Sequence, residues 1–92
     1  MLEGVVKDLD ADNLLPGASV WIEQDEIKIA SALTDVDGYY SIPGIRVGFY
    51  NVIAALEGFV NDTVKGVEIV EGDLTVDFAL ATEEETSTST NE

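Results

Sequence analysis

The sequence of 92 residues contains neither cysteine nor histidine. Their absence excludes disulfide bonds, thiol chemistry, zinc sites of the usual kind and the general base that enzymes use most often. It leaves the redox compartment open, because a domain without disulfides is compatible with either side of a membrane. The chain also has no run of about 20 apolar residues, so we expect no membrane insertion.

Basic residues are scarce as well: three lysines and one arginine stand against 19 acidic residues, which gives a formal net charge of −15. Nucleic acid is not expected as a partner, because the chain cannot form the basic patch that phosphates require. Self-repulsion favours a monomer, and the negative surface attracts cations. Two settings fit this charge: an extracellular medium that contains calcium, or high salt that screens the repulsion.

The apolar residues that are present alternate with polar ones at a period of two, which indicates half-buried strands. In the segment LTVDFAL the apolar face consists of Leu74, Val76, Phe78 and Leu80. The same alternation predicts strands at 2–7, 18–23, 27–34, 39–42, 49–56, 59–64 and 67–80, the last one broken at Gly72. Turn residues recur about every eight to twelve positions, as in all-β sandwiches and barrels. We predict an all-β fold, a seven- to eight-stranded antiparallel immunoglobulin-like β-sandwich with Greek-key connections.

The composition changes after residue 81, which divides the chain into two regions. Residues 82–92, TEEETSTSTNE, contain no apolar side chain that could offset the entropy lost on ordering. We therefore predict a β-sandwich domain over 1–81 and a disordered, acidic, Ser/Thr-rich linker or tail over 82–92. A linker at this position implies a neighbouring domain of the parent chain as a partner.

Four segments, taken in order, carry a family resemblance: LPGASVWIE, TDVDGYYSIPG, VGFYNVIAALEGF and VEIVEGDLTVDFAL. Together they resemble the carboxypeptidase regulatory-like domain family over residues 2–80. The resemblance implies a transthyretin-like β-sandwich and a non-catalytic accessory module. Such modules occur beside carboxypeptidases, in surface and adhesive proteins, and next to dockerins. We therefore expect an extracellular or cell-surface module of an exported protein that spaces or stabilises its neighbour.

The segment KDLDADNLLPGASVWIE is also similar to adhesin B-type repeat domains, some of which form an isopeptide bond through a buried lysine. That chemistry requires burial of Lys7, a catalytic glutamate and an acceptor on the last strand. Alternation with its neighbours places Lys7 on the outward face, and Ala54 stands where the glutamate would lie. Asp77 also faces outward. We do not expect an isopeptide bond.

Two groups of aspartates raise the question of a calcium site. Asp8, Asp10 and Asp12 have the spacing of the first three carboxylates in a calcium loop, although the glycine and the bidentate glutamate of that pattern are missing. The alternative is an acidic, solvated loop. For Asp35 and Asp37 the favoured interpretation is turn chemistry, in which Asp35 accepts backbone N–H groups. Calcium is thus a candidate ion, and no other cofactor is expected.

Three aromatic residues alternate outward from the predicted core: Trp21, Tyr39 and Phe49. An exposed aromatic cluster would be a binding surface for a glycan, for a surface protein or for a neighbouring domain. The alternative is that the rings lie under a loop or at a sheet edge. No catalytic residue is predicted, because the serines within strands have no base beside them.

Overall fold

The computed structural model describes residues 1–83, which form eight β-strands and no helix. The strands are β1 (Leu2–Asp8), β2 (Ser19–Gln24), β3 (Ile27–Leu33), β4 (Tyr39–Ile42), β5 (Gly48–Ala55), β6 (Asp62–Ile69), β7 (Leu74–Thr75) and β8 (Phe78–Leu80). In this part of the chain no helix is long and apolar enough to cross a bilayer.

The strands form two sheets that face each other. One sheet has the order β4-β1-β7, with β8 also paired to β1, and the other has the order β3-β2-β5-β6. All neighbours are antiparallel except that β1 runs parallel to β7 and to β8. The predicted β-sandwich of seven to eight strands is confirmed.

Alternate side chains of β1, β2, β4, β5 and β8 enter one core between the sheets, and Ile69 joins them from β6. The sheet around β1 contributes Leu2, Val6, Tyr40, Ile42, Phe78 and Leu80, and the other sheet contributes Val20, Ile22, Tyr50, Val52, Ala54 and Ile69. The rings of Tyr40 and Phe78, which both come from the sheet around β1, lie side by side in the core with centroids 6.3 Å apart. The alternation that predicted the strands therefore also identified most of the side chains that enter the core.

The sixth strand differs from the prediction. The sequence suggested separate strands on either side of Gly66, whereas β6 passes through that residue without a turn. Its register against β5 shifts between Tyr50 and Val52, which leaves an extra residue on β6 opposite Asn51. Gly66 N–H donates to Asn51 Oδ1 at 3.1 Å. The glycine therefore marks a β-bulge, which keeps the strand continuous.

The last strand is interrupted twice. The predicted break at Gly72 lies between β6 and β7, and a second break at Val76 and Asp77 separates β7 from β8. At this second break the chain passes over Gly4, where a Cβ atom would lie 2.0 Å from the Val76 carbonyl oxygen. Asp77 Oδ1 accepts the Val5 N–H at 3.0 Å. A side chain thus replaces the backbone acceptor that β1 loses.

The connections lie at two ends of the sandwich. We refer to the loops 9–18, 34–38 and 56–61 as the upper end of the sandwich. The connections 25–26, 43–47 and 70–73 form the lower end. At the upper end Val60 N–H donates to Ala81 O, and Glu83 N–H donates to Gly58 O at 2.9 Å. Thr82 and Glu83, assigned to the tail by the sequence, are thus paired with the 56–61 loop. The rest of the predicted tail, 84–92, lies outside the described residues.

Candidate functional site

The three aspartates of the predicted calcium loop make separate contacts. Asp8 Oδ1 accepts two backbone N–H groups of the turn that follows, at 2.8 and 3.1 Å. Asp12 pairs with Lys7, Nζ to Oδ1 2.9 Å. Asp10 Oδ2 accepts a long hydrogen bond from Thr82 Oγ1 at 3.4 Å. The carboxylates therefore hold the loop and its neighbours in place.

The ion pair between Lys7 and Asp12 perturbs both groups. The hydrogen bond and the charge of Asp12 raise the pKa of the Lys7 ammonium, and the same two effects of Lys7 lower the pKa of Asp12. Within residues 1–83 no three acidic side chains come close enough together to hold a metal ion. Asp8, Asp10 and Asp12 are thus not brought together as a ligand set in this part of the chain.

Lys7 is not in the environment that isopeptide chemistry needs. Its side chain is 45% exposed, and Ala54 is buried in β5. The Asp77 carboxylate already accepts the Val5 N–H. An exposed, paired lysine stays protonated and is a poor nucleophile.

Asp35 and Asp37 form the turn between β3 and β4. Asp35 Oδ1 accepts the N–H groups of Asp37 at 2.9 Å and Tyr39 at 3.0 Å. Gly38 N–H donates to Asp35 O at 2.9 Å. The interpretation of these aspartates as turn residues is confirmed.

The three outward aromatic residues do not form one cluster. Trp21 lies on β2 and Phe49 on β5, on the outer face of the β3-β2-β5-β6 sheet, whereas Tyr39 lies on β4 in the opposite sheet. Because each ring alternates away from the core, Tyr39 and the other two lie on opposite surfaces of the sandwich. The predicted binding surface of Trp21, Tyr39 and Phe49 is therefore not formed.

Trp21 and Phe49 are also apart on their shared face. Trp21 is paired with Ile53 on β5. Phe49 lies four residues before Ile53 on the same strand, so Phe49 and Ile53 are about 13 Å apart along β5. Trp21 Nε1–H donates to Glu23 Oε2 at 2.9 Å, and Lys28 Nζ lies 5.1 Å from the centre of the ring. Phe49 is 62% exposed. Phe49 is thus an isolated exposed ring.

Tyr39 is engaged on the other surface. Its hydroxyl donates to Glu3 Oε1 at 2.5 Å, and this hydrogen bond, with burial and the charge of Glu3 as further causes, raises the pKa of Tyr39. Tyr39 therefore joins β4 to β1.

An open groove of about 530 Å³ lies at the upper end, beside the exit of Glu83. It is lined by Gly17, Ser19, Ala55, Leu56, Glu57, Gly58, Phe59, Asn61 and Glu83. Within residues 1–83, no hydrogen bond joins the Ser19 hydroxyl of this lining to the carboxylate of Glu57 or Glu83. Among these residues, the groove therefore lacks a nucleophile paired with a base. No pattern in the sequence indicated this groove, because its walls come from three distant segments.

Two facing sheets, a core filled by alternating side chains and a first strand that pairs in parallel with the last two define the class of the protein, a transthyretin-like β-sandwich. The chain belongs to the carboxypeptidase regulatory-like domain family, whose model matches residues 1–81. The resemblance inferred from the four segments is thus confirmed. Comparison with curated proteins finds no significant sequence match.

Solved structures show the same fold at low sequence identity. A 5-hydroxyisourate hydrolase from Klebsiella pneumoniae is 16% identical with a TM-score of 0.68, and the match covers 89% of this chain and 90% of the hydrolase. A chain of a type II cohesin–X–dockerin complex from Acetivibrio cellulolyticus is 19% identical with a TM-score of 0.68 over 84% of this chain and 51% of that one. The Bacillus anthracis TIE protein is 15% identical with a TM-score of 0.61, and the match covers 88% of this chain and 16% of TIE.

These matches differ in how much of the other chain they cover. This chain spans nearly all of the hydrolase, about half of the cohesin–X–dockerin chain and a small part of TIE. At such identities the likeness establishes the fold and nothing about activity.

Proposed function

We propose that this domain is a non-catalytic structural module of an exported or cell-surface protein that holds a neighbouring domain at a fixed distance. The observation that carries the proposal is the position of the two ends. Met1 lies at the lower end, where its amino group donates to Gly72 O at 2.6 Å. Glu83 lies at the upper end. Segments attached to the two ends would therefore point in opposite directions.

The strands next to these ends are hydrogen-bonded neighbours. β1 runs parallel to β7 and β8, and further bonds join Leu74 N–H to Met1 O and Leu9 N–H to Leu80 O, each at 2.9 Å. Because the bonds cross between the strands, tension along the strands would load them all together in shear. Such a connection suits a rigid spacer between two attached parts.

The fold likeness to a chain of a cohesin–X–dockerin complex supports a role in modular assemblies. The net charge of −15 supports an extracellular or high-salt setting. The absence of cysteine and histidine from the sequence supports a non-catalytic role. A glycan-binding role has no comparable support, because the outward aromatic residues lie on opposite surfaces.

Single-molecule pulling tests the spacer role. The domain is attached at Met1 and Glu83, and in the control at Met1 and Val47, which both belong to the lower end. We expect one cooperative unfolding step at a clearly higher force for the first pair, because only that pair loads β1 against β8 in shear. Equal forces for both attachments would contradict the proposal.

A catalytic test uses the substrate of the structural neighbour. We expect the purified chain to hydrolyse 5-hydroxyisourate no faster than buffer does. A rate that rises in proportion to protein concentration would contradict the non-catalytic role. Fractionation of the source cells tests the location, since recovery of the parent protein only from the cytosol would contradict an exported or surface position.

A further inference from the structure

The strand β3 is an open sheet edge with exposed apolar side chains. It is the first strand of the β3-β2-β5-β6 sheet, and in the described part of the chain only β2 pairs with it. Ile27 is 63% exposed, Ile29 47% and Leu33 67%. Such an edge offers a row of free backbone donors and acceptors to an incoming strand.

The other sheet edges have features that obstruct pairing. β4 has four residues and is followed by Pro43. β6 contains the bulge at Gly66 and carries exposed charges, and β7 is separated from β8 by the break at Val76. β3 has seven residues, is not followed by a proline, and has one irregularity, a bulge near Ile29 at its beginning. Its regular part, from residue 30 to residue 33, is therefore the most accessible edge.

The hydrogen-bond pattern identifies which groups of β3 face the open side. Thr34 N–H donates to Ala18 O at 2.9 Å, so Thr34 faces β2. Because antiparallel residues alternate between facing the partner and facing away, Ala30 and Ala32 also face β2. The backbone N–H and C=O groups of Ser31 and Leu33 then point to the open edge. These groups can pair with one further strand.

Charge limits what can occupy this edge. The strand contains no acidic residue, and its ends are flanked by Asp25 and Glu26 in one turn and by Asp35 and Asp37 in the other. Two copies that paired antiparallel through β3 would bring the turns of one copy against the opposite turns of the other. Four carboxylates would then meet at each end, in addition to the repulsion between two chains of net charge −15.

We propose that β3 is a docking edge for an extended segment of another protein, which adds a strand beside β3. The segment has apolar side chains at alternate positions, to cover Ile29 and Leu33 on one face, and small side chains between them, beside the small Ala30 and Ala32 on the other face. It has lysine or arginine at both ends, to face the acidic turns. About eight or nine residues span this length. The inference does not depend on the spacer role.

The experiment titrates the whole chain with the peptide RKVTVTVKR and follows backbone amide resonances. The control peptide RKVPVPVKR has the same charge but lacks the N–H groups needed for strand pairing. A second control, EEVTVTVEE, keeps the strand pattern and reverses the charge. We expect the first peptide to shift the amides of Ser31 and Leu33, and the two controls to bind at least about tenfold more weakly.

Two protein variants test whether the peptide binds at the open edge of β3. Ser31→Pro removes an N–H that faces the open edge, where proline is tolerated, and Ser31→Ala keeps that N–H. We expect Ser31→Pro to abolish binding and Ser31→Ala to preserve it. If Ser31→Pro does not fold, the combined variant Asp25→Asn, Glu26→Gln and Asp37→Asn replaces it, and we expect this variant to weaken binding about tenfold.

Three results would overturn the proposal. Equal binding of RKVTVTVKR and RKVPVPVKR would mean attraction by net charge alone. Amide shifts centred on β6 or around Phe49 would place the docking surface elsewhere. A dimer in sedimentation that Ser31→Pro dissociates would make a second copy of this chain the occupant.

Discussion

At the scale of single residues, the hydroxyl of Thr34 connects two segments that the sequence separates. Thr34 is 5% exposed. Its Oγ1 accepts the Ala18 N–H at 2.8 Å and donates to Leu15 O at 2.6 Å. The end of β3 is thereby tied to the loop that leads into β2. The sequence showed a turn at each place but not the bond between them.

The variant Thr34→Val tests this bond. It keeps the shape of the side chain and leaves the Ala18 N–H and the Leu15 carbonyl without their partner. We expect the free energy of unfolding to fall by about 1–3 kcal/mol, as measured by urea denaturation. The control Thr34→Ser keeps the hydroxyl and is expected to lose less. A larger loss in Thr34→Ser than in Thr34→Val would show that the methyl group contributes more than the bond.

The second residue-scale prediction concerns Tyr40 and pH. Its hydroxyl donates to Val76 O at 2.5 Å, and burial, with the charge of Asp77 as a second cause, raises its pKa above the ordinary value of 10.0. The folded state then holds the proton more tightly than the unfolded state does. This contribution to stability is complete below pH 10 and is lost as the pH rises above it.

We therefore expect the free energy of unfolding to fall between pH 10 and pH 11.5, with a slope of up to about 1.4 kcal/mol per pH unit from this group. Tyr40→Phe should flatten that slope while lowering stability at neutral pH through loss of the hydrogen bond. Urea denaturation at a series of pH values measures both. An unchanged slope in the variant would assign the alkaline loss to other groups.

At the scale of elements, the turn between β3 and β4 packs against the loop between β1 and β2. Val6 N–H donates to Gly38 O, and Leu15 N–H donates to Val6 O. A Cβ atom on Gly38 would lie 2.9 Å from Leu14 Cβ and 3.0 Å from both Leu15 N and Val6 O. The glycine thus allows two loops of the upper end to touch.

The variants Gly38→Ala and Gly44→Ala separate this contact from backbone strain. The two glycines have φ values of +74° and +75°, and a Cβ on Gly44 would meet nothing within 4 Å. In both variants an alanine must adopt the left-handed backbone conformation. Only in Gly38→Ala does the added Cβ atom also clash with neighbouring atoms. We expect it to lose about 1–3 kcal/mol more stability than Gly44→Ala in urea denaturation. Equal losses would contradict the close packing of the two loops.

The bounds of two elements could not be predicted from the sequence. A glycine between two runs of alternating residues looks the same in a turn and in a bulge, so the sequence predicts a turn at Gly66, although β6 continues beside β5 there with a bulge. The break at Val76 and Asp77 was missed, because their alternation continues through it. Its cause is the position of Gly4 on another strand, 72 residues earlier than Val76 in the chain.

At the scale of the whole molecule, the dominant feature is the net charge of −15 on the chain, with few ion pairs among its described residues. Repulsion between the carboxylates opposes the compact state, and salt screens it. The Debye length falls from about 30 Å at 10 mM salt to about 3 Å at 1 M. Stability should therefore depend on ionic strength.

We expect the melting temperature to rise steadily between 10 mM and 1 M NaCl, as measured by circular dichroism. At equal concentrations of a few millimolar, CaCl₂ and MgCl₂ should give the same melting temperature, because Asp8, Asp10 and Asp12 contact backbone N–H groups, Thr82 and Lys7 respectively. A calcium-specific rise that a chelator reverses would contradict this and would reveal a site at Asp8, Asp10 and Asp12.

The sequence by itself determined most of the side chains that enter the core and where most turns fall. Val20, Tyr50 and Phe78 are buried as their alternation required, and Asp35 caps its turn as its spacing to Gly38 suggested. These properties depend on neighbours along the chain, because a strand exposes opposite faces at successive residues.

Only the tertiary structure decided which sheet each strand joins. A period of two distinguishes inside from outside, but it is the same for both sheets, so it could not show that Tyr39 and Trp21 face opposite ways. The parallel pairing of β1 with β7 and β8, the opposite positions of Met1 and Glu83, and the open edge of β3 follow from that choice of sheet. They depend on contacts between residues far apart in the chain, which no local pattern encodes.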